Sequence, residues 1–573
     1  MSIVRINRAT ESGSPAMAGA VRRRRGAEGA ALWARRAARV LLAGLCLALI
    51  LPVLVVLGSW LFFDAAAWAV LRHQATTVLP DYALQTLALA LGVAAGVAGL
   101  GAATAAAVTL TQFPGRRMFE WALLLPLAMP AYVLAYAWTD ALQFASPLQT
   151  ALREWLGTRG ALWPDVRNAW SAAVLFVLCL YPYVYLLTRA ALGERAVQMM
   201  EAARLLGAPM RRRVWAVALP MARPALAAGT ALALMEVLAD YGVGAYFGLA
   251  TFSTGIYKAW LVMNDRTAAL QLASALLLGV ALLLLVERRA QSRLRYAGTR
   301  SGPQHASDAQ PLPLQGAAAI AAVVLCALPV LLGFVLPVAW LLWLLWQEAH
   351  TAEFGLPLAR FAQWSWASFK LASLAALFAT ALALALGFVL RRARGVVLPA
   401  AARVLALGYA MPGVVVGIGV LAPLAWLQQQ WPQGGLAVLA TGTVFGVLFA
   451  YLVRFSAVAL QTVEAGYSRI PRSVDDTALL LGSGPARVFR RLHLPLLKRS
   501  VLAALLLVFV DVMKELPATL LLRPFGSDTL AVVAYNLARD ERLAEAALPS
   551  LAIVAVGLIP VLLLSRAMRA PAG

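Results

Sequence analysis

The sequence predicts an all-α polytopic membrane protein with about twelve transmembrane helices, arranged as two homologous six-helix halves. Three observations carry this. Of 573 residues, 62% are hydrophobic and 13% charged, and the apolar residues gather in runs long enough to cross a ~30 Å hydrocarbon core as helices. The runs are continuous Leu, Ala and Val stretches rather than the short alternating segments of a β-barrel. Finally, a set of ionisable, glycine and proline positions in the first half returns in the second at a constant offset of 275 residues.

Residues 1–30 are polar, close in the cluster Arg22–Arg25, and read as a disordered Arg-rich cytoplasmic tail. The apolar run after them is too long for a cleaved signal and further spans follow, so it is read as an uncleaved first span. The first half, residues 31–287, has spans expected at roughly 40–63, 84–110, 118–140, 170–190, 222–242 and 267–286. Residues 288–315 hold Gly, Ser, Pro, Gln and Arg and read as a cytoplasmic linker. The second half, residues 316–567, has spans expected at roughly 317–346, 366–390, 398–427, 436–459, 499–521 and 546–565.

Orientation follows from arginine placement. The clusters at Arg116 and Arg117, Arg211–Arg213, Arg288–Arg300, Arg391–Arg394 and Arg487–Arg499 all fall on the side of the N-terminal cluster. By the positive-inside tendency that side is cytoplasmic, and both termini face it. The net charge of +23 is therefore a matter of topology and contact with anionic lipid head groups in the bilayer. Dispersed among juxtamembrane loops, these arginines do not form the basic domain or arm that a nucleic-acid partner requires.

The repeat is clearest in two loops on that side. The first, 201–220, reads Glu201-Ala202-Ala203, then Gly207, then Leu219-Pro220; the second, 476–495, reads Asp476-Thr477-Ala478, then Gly482, then Leu494-Pro495. Apolar residues at helical spacing, Val214 with Val217 and Val488 with Leu492, predict a short amphipathic helix in each. Gly207 and Gly482 permit the turn before it, and Pro220 and Pro495 are expected to stop it before the next span. Two surface helix-turn-helix elements fit a partner with two equivalent sites; the plain alternative is a pair of interfacial helices left by duplication.

The same offset carries Glu236 and Asp240 onto Asp511 and Glu515. Each pair is spaced four apart, hence expected on one helical face, and Lys514 lies within pairing reach of Asp511. A charge at a helix centre costs about 2.5 to 3.5 kcal/mol on insertion scales, so such residues face a protein interior or a water-filled path. They form either an internal ion-pair network or a lined passage. Pro130 and Pro412, at comparable places in the two halves, are expected to bend their spans, as ordinary kinks or as hinges.

Catalysis finds no residue set. His73, His305, His350 and His493 lie in loops or at span edges, and none of the lysines, Lys258, Lys370, Lys498 and Lys514, follows a glycine as a phosphate-binding loop requires. The chain is therefore expected not to be an enzyme. Cys46, Cys179 and Cys326 fall within apolar spans without paired spacing and read as small packing residues.

Glu201-Ala202-Ala203, Gly207 and Leu219-Pro220 resemble the EAA loop of bacterial ABC importer permeases, and the second copy departs from it at Asp476 and Thr477. Met235 to Gly242, Tyr246-Phe247-Gly248 and Thr254 to Tyr257 are similar to the first half of ferric iron permeases. Asp511 to Leu520, Arg523-Pro524-Phe525 and Asp540 to Leu543 are similar to the second half, so the likeness spans roughly residues 40–567. The resemblance implies a type I ABC importer permease fold in the bacterial inner membrane. It also implies pairing with two copies of a cytoplasmic ATPase, which use ATP and Mg, and with a periplasmic ferric-ion-binding protein. No cofactor is bound by this chain. The EAA-like positions become ATPase-coupling residues. Glu236, Asp240, Tyr241, Asp511, Lys514 and Glu515 become candidates for the translocation path, with transient Fe3+ contact at the four acids, since hard cations prefer oxygen donors. Fused permeases for thiamine and phosphonates share this layout, so those solutes stay open, as does a secondary transporter driven by an ion gradient.

Overall fold

The structure, a computed structural model, describes residues 37, 40–62, 64–192, 197–298, 312–352, 355–392, 395–432, 435 and 442–569. The expected N-terminal tail lies outside them. Among the described residues twelve principal helices carry the fold. In the first half these are α1 (Val40–Leu61), α2 (Leu79–Leu110), α3 (Ala131–Leu142), α4 (Ala169–Ala191), α5 (Leu219–Ala239) and α6 (Arg266–Gly298). The second half has α7 (Gly316–Thr351), α8 (Leu358–Leu390), α9 (Gly413–Gln430), α10 (Phe445–Tyr467), α11 (Leu494–Met513) and α12 (Leu543–Arg569). A parallel pairing of Thr111–Gln112 with Leu312–Pro313 is the only strand contact among the described residues.

Fewer helices than expected qualify as plain spans. Among the described residues ten are long and apolar enough to cross a membrane, and eleven if one bent pair counts as a span. The bent pair is the expected span at 118–140: Arg116–Ala128 and Ala131–Leu156 meet at 90°. Pro130 stands at the break in extended conformation, where its missing N–H and its ring forbid a continuous helix. The expected span at 398–427 is divided in the same way, with Val397–Leu405 and Gly408–Ala410 ending before Pro412 and α9 beginning after it. The twelfth, α11, carries Lys498, Arg499 and Asp511 in its 20 residues. The expected linker is also shorter than its composition implied, because α6 continues in helical conformation to Gly298.

Each half is built on a three-helix core, α2 with α4 and α5 in the first and α8 with α10 and α11 in the second. Small residues let these helices approach closely, the usual device where lipid removes the hydrophobic drive. A Cβ at Gly229 would stand 2.7 Å from Val184 Cα, and one at Gly466 would stand 2.4 Å from Ser500 Oγ. The first span of each half also reaches across to the other. Pro52 of α1 seats its carbonyl on Gly419 of α9, where an added Cβ would lie 2.4 Å away. Reciprocally, Trp138 of α3 donates to Leu332 O of α7 at 3.0 Å, and Trp340 of α7 donates to Asp140 of α3 at 2.8 Å. This exchange locks the halves face to face and leaves the ends of α5 and α11 opposite one another.

Because the Pro52 contact is with backbone, Gly419→Ala is expected to destabilise the chain by about 1 to 3 kcal/mol through overpacking. Gly99→Ala, where nothing lies within 4 Å of the new methyl, should not. Thermal unfolding of the two purified variants in detergent checks this.

Candidate functional site

Both α5 and α11 stop short inside apolar surroundings, and their ends form the site. α5 finishes at Ala239; Asp240 follows in extended conformation, and the short helix Gly242–Tyr246 starts two residues later. α11 finishes at Met513, and the short helix Pro517–Leu522 follows Glu515 and Leu516. The expectation that each acid pair shares one helical face therefore needs correction, since each helix ends between its two acids. The acids converge because the chain turns, not because helical geometry aligns them.

A turn in apolar surroundings leaves the first N–H groups of the next helix without partners, and the carboxylates supply them. Asp240 Oδ2 accepts from Val243 N at 2.9 Å and Gly244 N at 3.4 Å. In the same register, Glu515 Oε1 accepts from Ala518 N at 3.0 Å and Oε2 from Thr519 N at 3.1 Å. Glu515 also accepts from the Thr519 hydroxyl at 2.6 Å and from Arg454 at 3.1 Å. Asp240 and Glu515 thus act as caps for the two short helices.

The other two acids are held differently. Glu236 accepts one hydrogen bond at 3.1 Å from the hydroxyl of Tyr409 in the opposite half, and Asp511 pairs with Lys514 at 3.1 Å. Tyr132 reaches across from the first half to donate to Lys514 O at 3.3 Å. All four acids, Lys514, Arg454, Tyr132 and Tyr409 line one cavity of about 120 Å³ at the contact between halves, large enough to hold water. Tyr241 lies outside it: its ring stacks on Tyr257 with centroids 4.4 Å apart, and its hydroxyl meets that of Tyr535 at 3.3 Å. Among the described residues no three His, Cys, Asp or Glu side chains gather to hold a metal ion.

Arg454, Tyr409 and Tyr132 went unnoticed in the sequence. Arg454 was open to discovery by the rule that singled out the acids, being a basic residue within an apolar run. The tyrosines carried no such signal, because aromatic residues are ordinary in spans.

The repeated loops form a second constellation. Helices Val197–Leu205 and Arg472–Leu480 end in left-handed glycines, Gly207 at φ 79° and Gly482 at φ 74°. The closing bonds match in register: Gly207 N to Arg204 O and Ala208 N to Ala203 O in the first, Gly482 N to Leu479 O and Ser483 N to Ala478 O in the second, all 2.9 to 3.0 Å. Glu201, Ala202, Asp476 and Thr477 are exposed, Ala203 is half-buried and Ala478 is buried. At the two turns the chain presents Leu205 and Leu206, 85% and 87% exposed, and Leu480 and Leu481, 88% and 80% exposed.

Pro220 and Pro495 do not stop the helices. In each copy a π turn, Val214–Ala218 and Phe489–His493, runs without interruption into α5 or α11. The wider turn lets Leu219 and Leu494 bond five residues back, to Val214 O and Phe489 O, and absorbs the bond and the space that proline denies an ordinary helix. Each exposed turn is thereby followed by unbroken helix as far as the acidic cavity.

The model of the binding-protein-dependent transport system inner membrane component matches residues 96–296 and 379–570, and the chain belongs to this family. It is an inner-membrane, multi-pass permease of a binding-protein-dependent ABC importer, is not itself catalytic, and works with a binding protein and an ATPase. It is 25% identical over 489 residues to the Fe(3+)-transport system permease protein of Haemophilus influenzae, covering 84% of this chain and 88% of the relative. A putative 2-aminoethylphosphonate transport system permease protein of Salmonella typhimurium is 33% identical over 157 residues, 27% of this chain and 56% of the relative. The molybdenum transport system permease protein of Escherichia coli is 30% identical over 131 residues, 23% of this chain and 55% of the relative.

Replacing Glu515 by Ala removes four acceptor contacts and strands the largely buried Arg454, which is expected to cost about 3 to 5 kcal/mol. Glu236→Gln, which disturbs one hydrogen bond, should cost about 1 kcal/mol. Thermal unfolding of the two variants tests that order.

Proposed function

We propose that this chain passes ferric iron, delivered by a periplasmic binding protein, into the cytoplasm, driven by two copies of a cytoplasmic ATPase that bind ATP and Mg. The observation that carries the coupling is the pair of exposed leucine turns, alike in register, each continuous with the helix that ends at the cavity. Two like turns are suited to two like ATPase subunits. The loop-bearing face is cytoplasmic in this reading because the arginine clusters fall on it, and both termini face the same side. When the ATPases close on ATP, the turns draw together and α5 and α11 carry that movement to the cavity, so the route opens alternately to either side.

Iron as cargo is supported by four carboxylates around one cavity and by the name of the relative that matches most of the chain. Within the quartet, Asp240 and Glu515 are engaged as caps, so Glu236 and Asp511 are the acids free to exchange their partners for a passing cation. Weak contact of this kind suits a path, which must release what it attracts. A second reading, a small oxyanion cargo, is favoured by Arg454 and Lys514 on the cavity wall and by the phosphonate and molybdenum relatives.

In proteoliposomes holding this chain, its ATPase and the binding protein, radiolabelled Fe3+ uptake should require all three components and ATP. Glu236→Gln with Asp511→Asn should lower that uptake by about tenfold, a rise of about 1.4 kcal/mol in the barrier. ATP turnover without iron movement would replace iron by the oxyanion reading. Deleting residues 201–220 should abolish ATPase association; stoichiometric copurification after the deletion would overturn the coupling role.

A further inference from the structure

The two loops match in backbone but not in what holds them. Asp475 precedes the EAA-like stretch of the second loop and is buried, as is His493, which ends the π turn before α11. His493 Nε2 meets Asp475 Oδ1 at 2.6 Å, and the other carboxylate oxygen accepts from Arg391 Nε. Arg391, which follows α8, also donates to backbone carbonyls at and just beyond the end of α10: Tyr467 O at 3.1 Å, Ile470 O at 2.8 Å and Pro471 O at 2.9 Å. The Tyr467 hydroxyl completes the group 3.5 Å from His493 Nδ1.

The electrostatics agree with this geometry. Burial alone would raise the Asp475 carboxyl, but hydrogen bonds from Arg391 and His493 outweigh it and hold the group below the ordinary carboxylate range. Burial holds the His493 imidazole below its usual value despite the carboxylate beside it. A neutral imidazole donating from Nε2 to an ionised carboxylate satisfies every member of the cluster.

At the offset of 275 residues the first loop has Met200 for Asp475 and Ala218 for His493. Both are buried apolar side chains and offer packing without direction. We propose that Asp475, His493 and Arg391 form a clamp that makes the second coupling loop the preorganised one of the pair, fixing its turn to α8, α10 and α11 as one body, while the first loop keeps slack. The clamp counterbalances the departure of Asp476 and Thr477 from the EAA pattern, because a loop already held in its bound shape loses less freedom on docking. These are positioning residues: none of them lines the cavity. The inference rests on the coupling role proposed above.

Nitroxide pairs in the full chain, on a cysteine-free background in nanodiscs, test it without knowledge of the cargo. The second loop is labelled at Leu481→Cys with Leu496→Cys, the first at Leu206→Cys with Met221→Cys. The distance distribution by pulsed EPR should be narrower in the second loop. His493→Ala should broaden it by about twofold, towards that of the first loop, and His493→Gln, which restores an N–H donor, should narrow it again, as release of a local ordering contact predicts. Equal widths in the two loops, or no change in His493→Ala, would overturn the clamp. A broadening that His493→Gln fails to reverse would also overturn it, since packing rather than the hydrogen bond would then be responsible. Leu480→Asp with Leu481→Asp serves as the separate control: loss of ATPase copurification upholds the coupling role, and unchanged copurification overturns that role while leaving the EPR result to judge the clamp.

Discussion

The structure depends on how α5 and α11 end. Stopping a helix in apolar surroundings strands the N–H groups of whatever helix comes next, and each unsatisfied group there costs several kcal/mol. Asp240 and Glu515 solve the same problem at the same register, capping the short helix after the turn. Once the two helices can end, Glu236, Asp511, Lys514 and Arg454 meet around a common cavity instead of lying apart on continuous spans. The cavity between the halves is therefore a consequence of interrupted helices whose interruption is stabilised by carboxylates.

The other ends of α5 and α11 join this interior to the exposed turns. An ordinary helix would have broken at Pro220 and Pro495, leaving the leucine turns hinged against the spans. The π turns keep the helix intact through both positions, so a continuous rod runs from each leucine turn to the cavity. Family membership sets this rod in an ATP-driven importer and removes the ion-gradient alternative. In the cavity between the halves four acids face two bases.

Much of this was legible in the sequence. The constant offset announced two homologous halves and paired Gly207 with Gly482, and both take the left-handed conformation that only a turn requires. The rarity of charge in apolar runs pointed to the quartet. Tertiary context was hidden. A spacing of four looks helical whether or not the helix continues, so Asp240 and Glu515 could not be recognised as caps. Proline alone does not say whether a chain stops, as at Pro130, or widens its turn, as at Pro220. Tyr241 resembled its neighbours in sequence but is drawn to Tyr257 and Tyr535 by ring packing that no local pattern encodes. Asp475 and His493 lie 18 residues apart, and their partner Arg391 comes from another helix end.

A structure of this chain bound to its ATPase and a non-hydrolysable ATP analogue tests the account most directly. The account predicts Leu205–Leu206 and Leu480–Leu481 each seated on one of two ATPase subunits, with α5 and α11 displaced as unbroken rods from turn to cavity. Turns left in solvent, or a break at Pro220 or Pro495 that leaves the cavity unchanged, would contradict it.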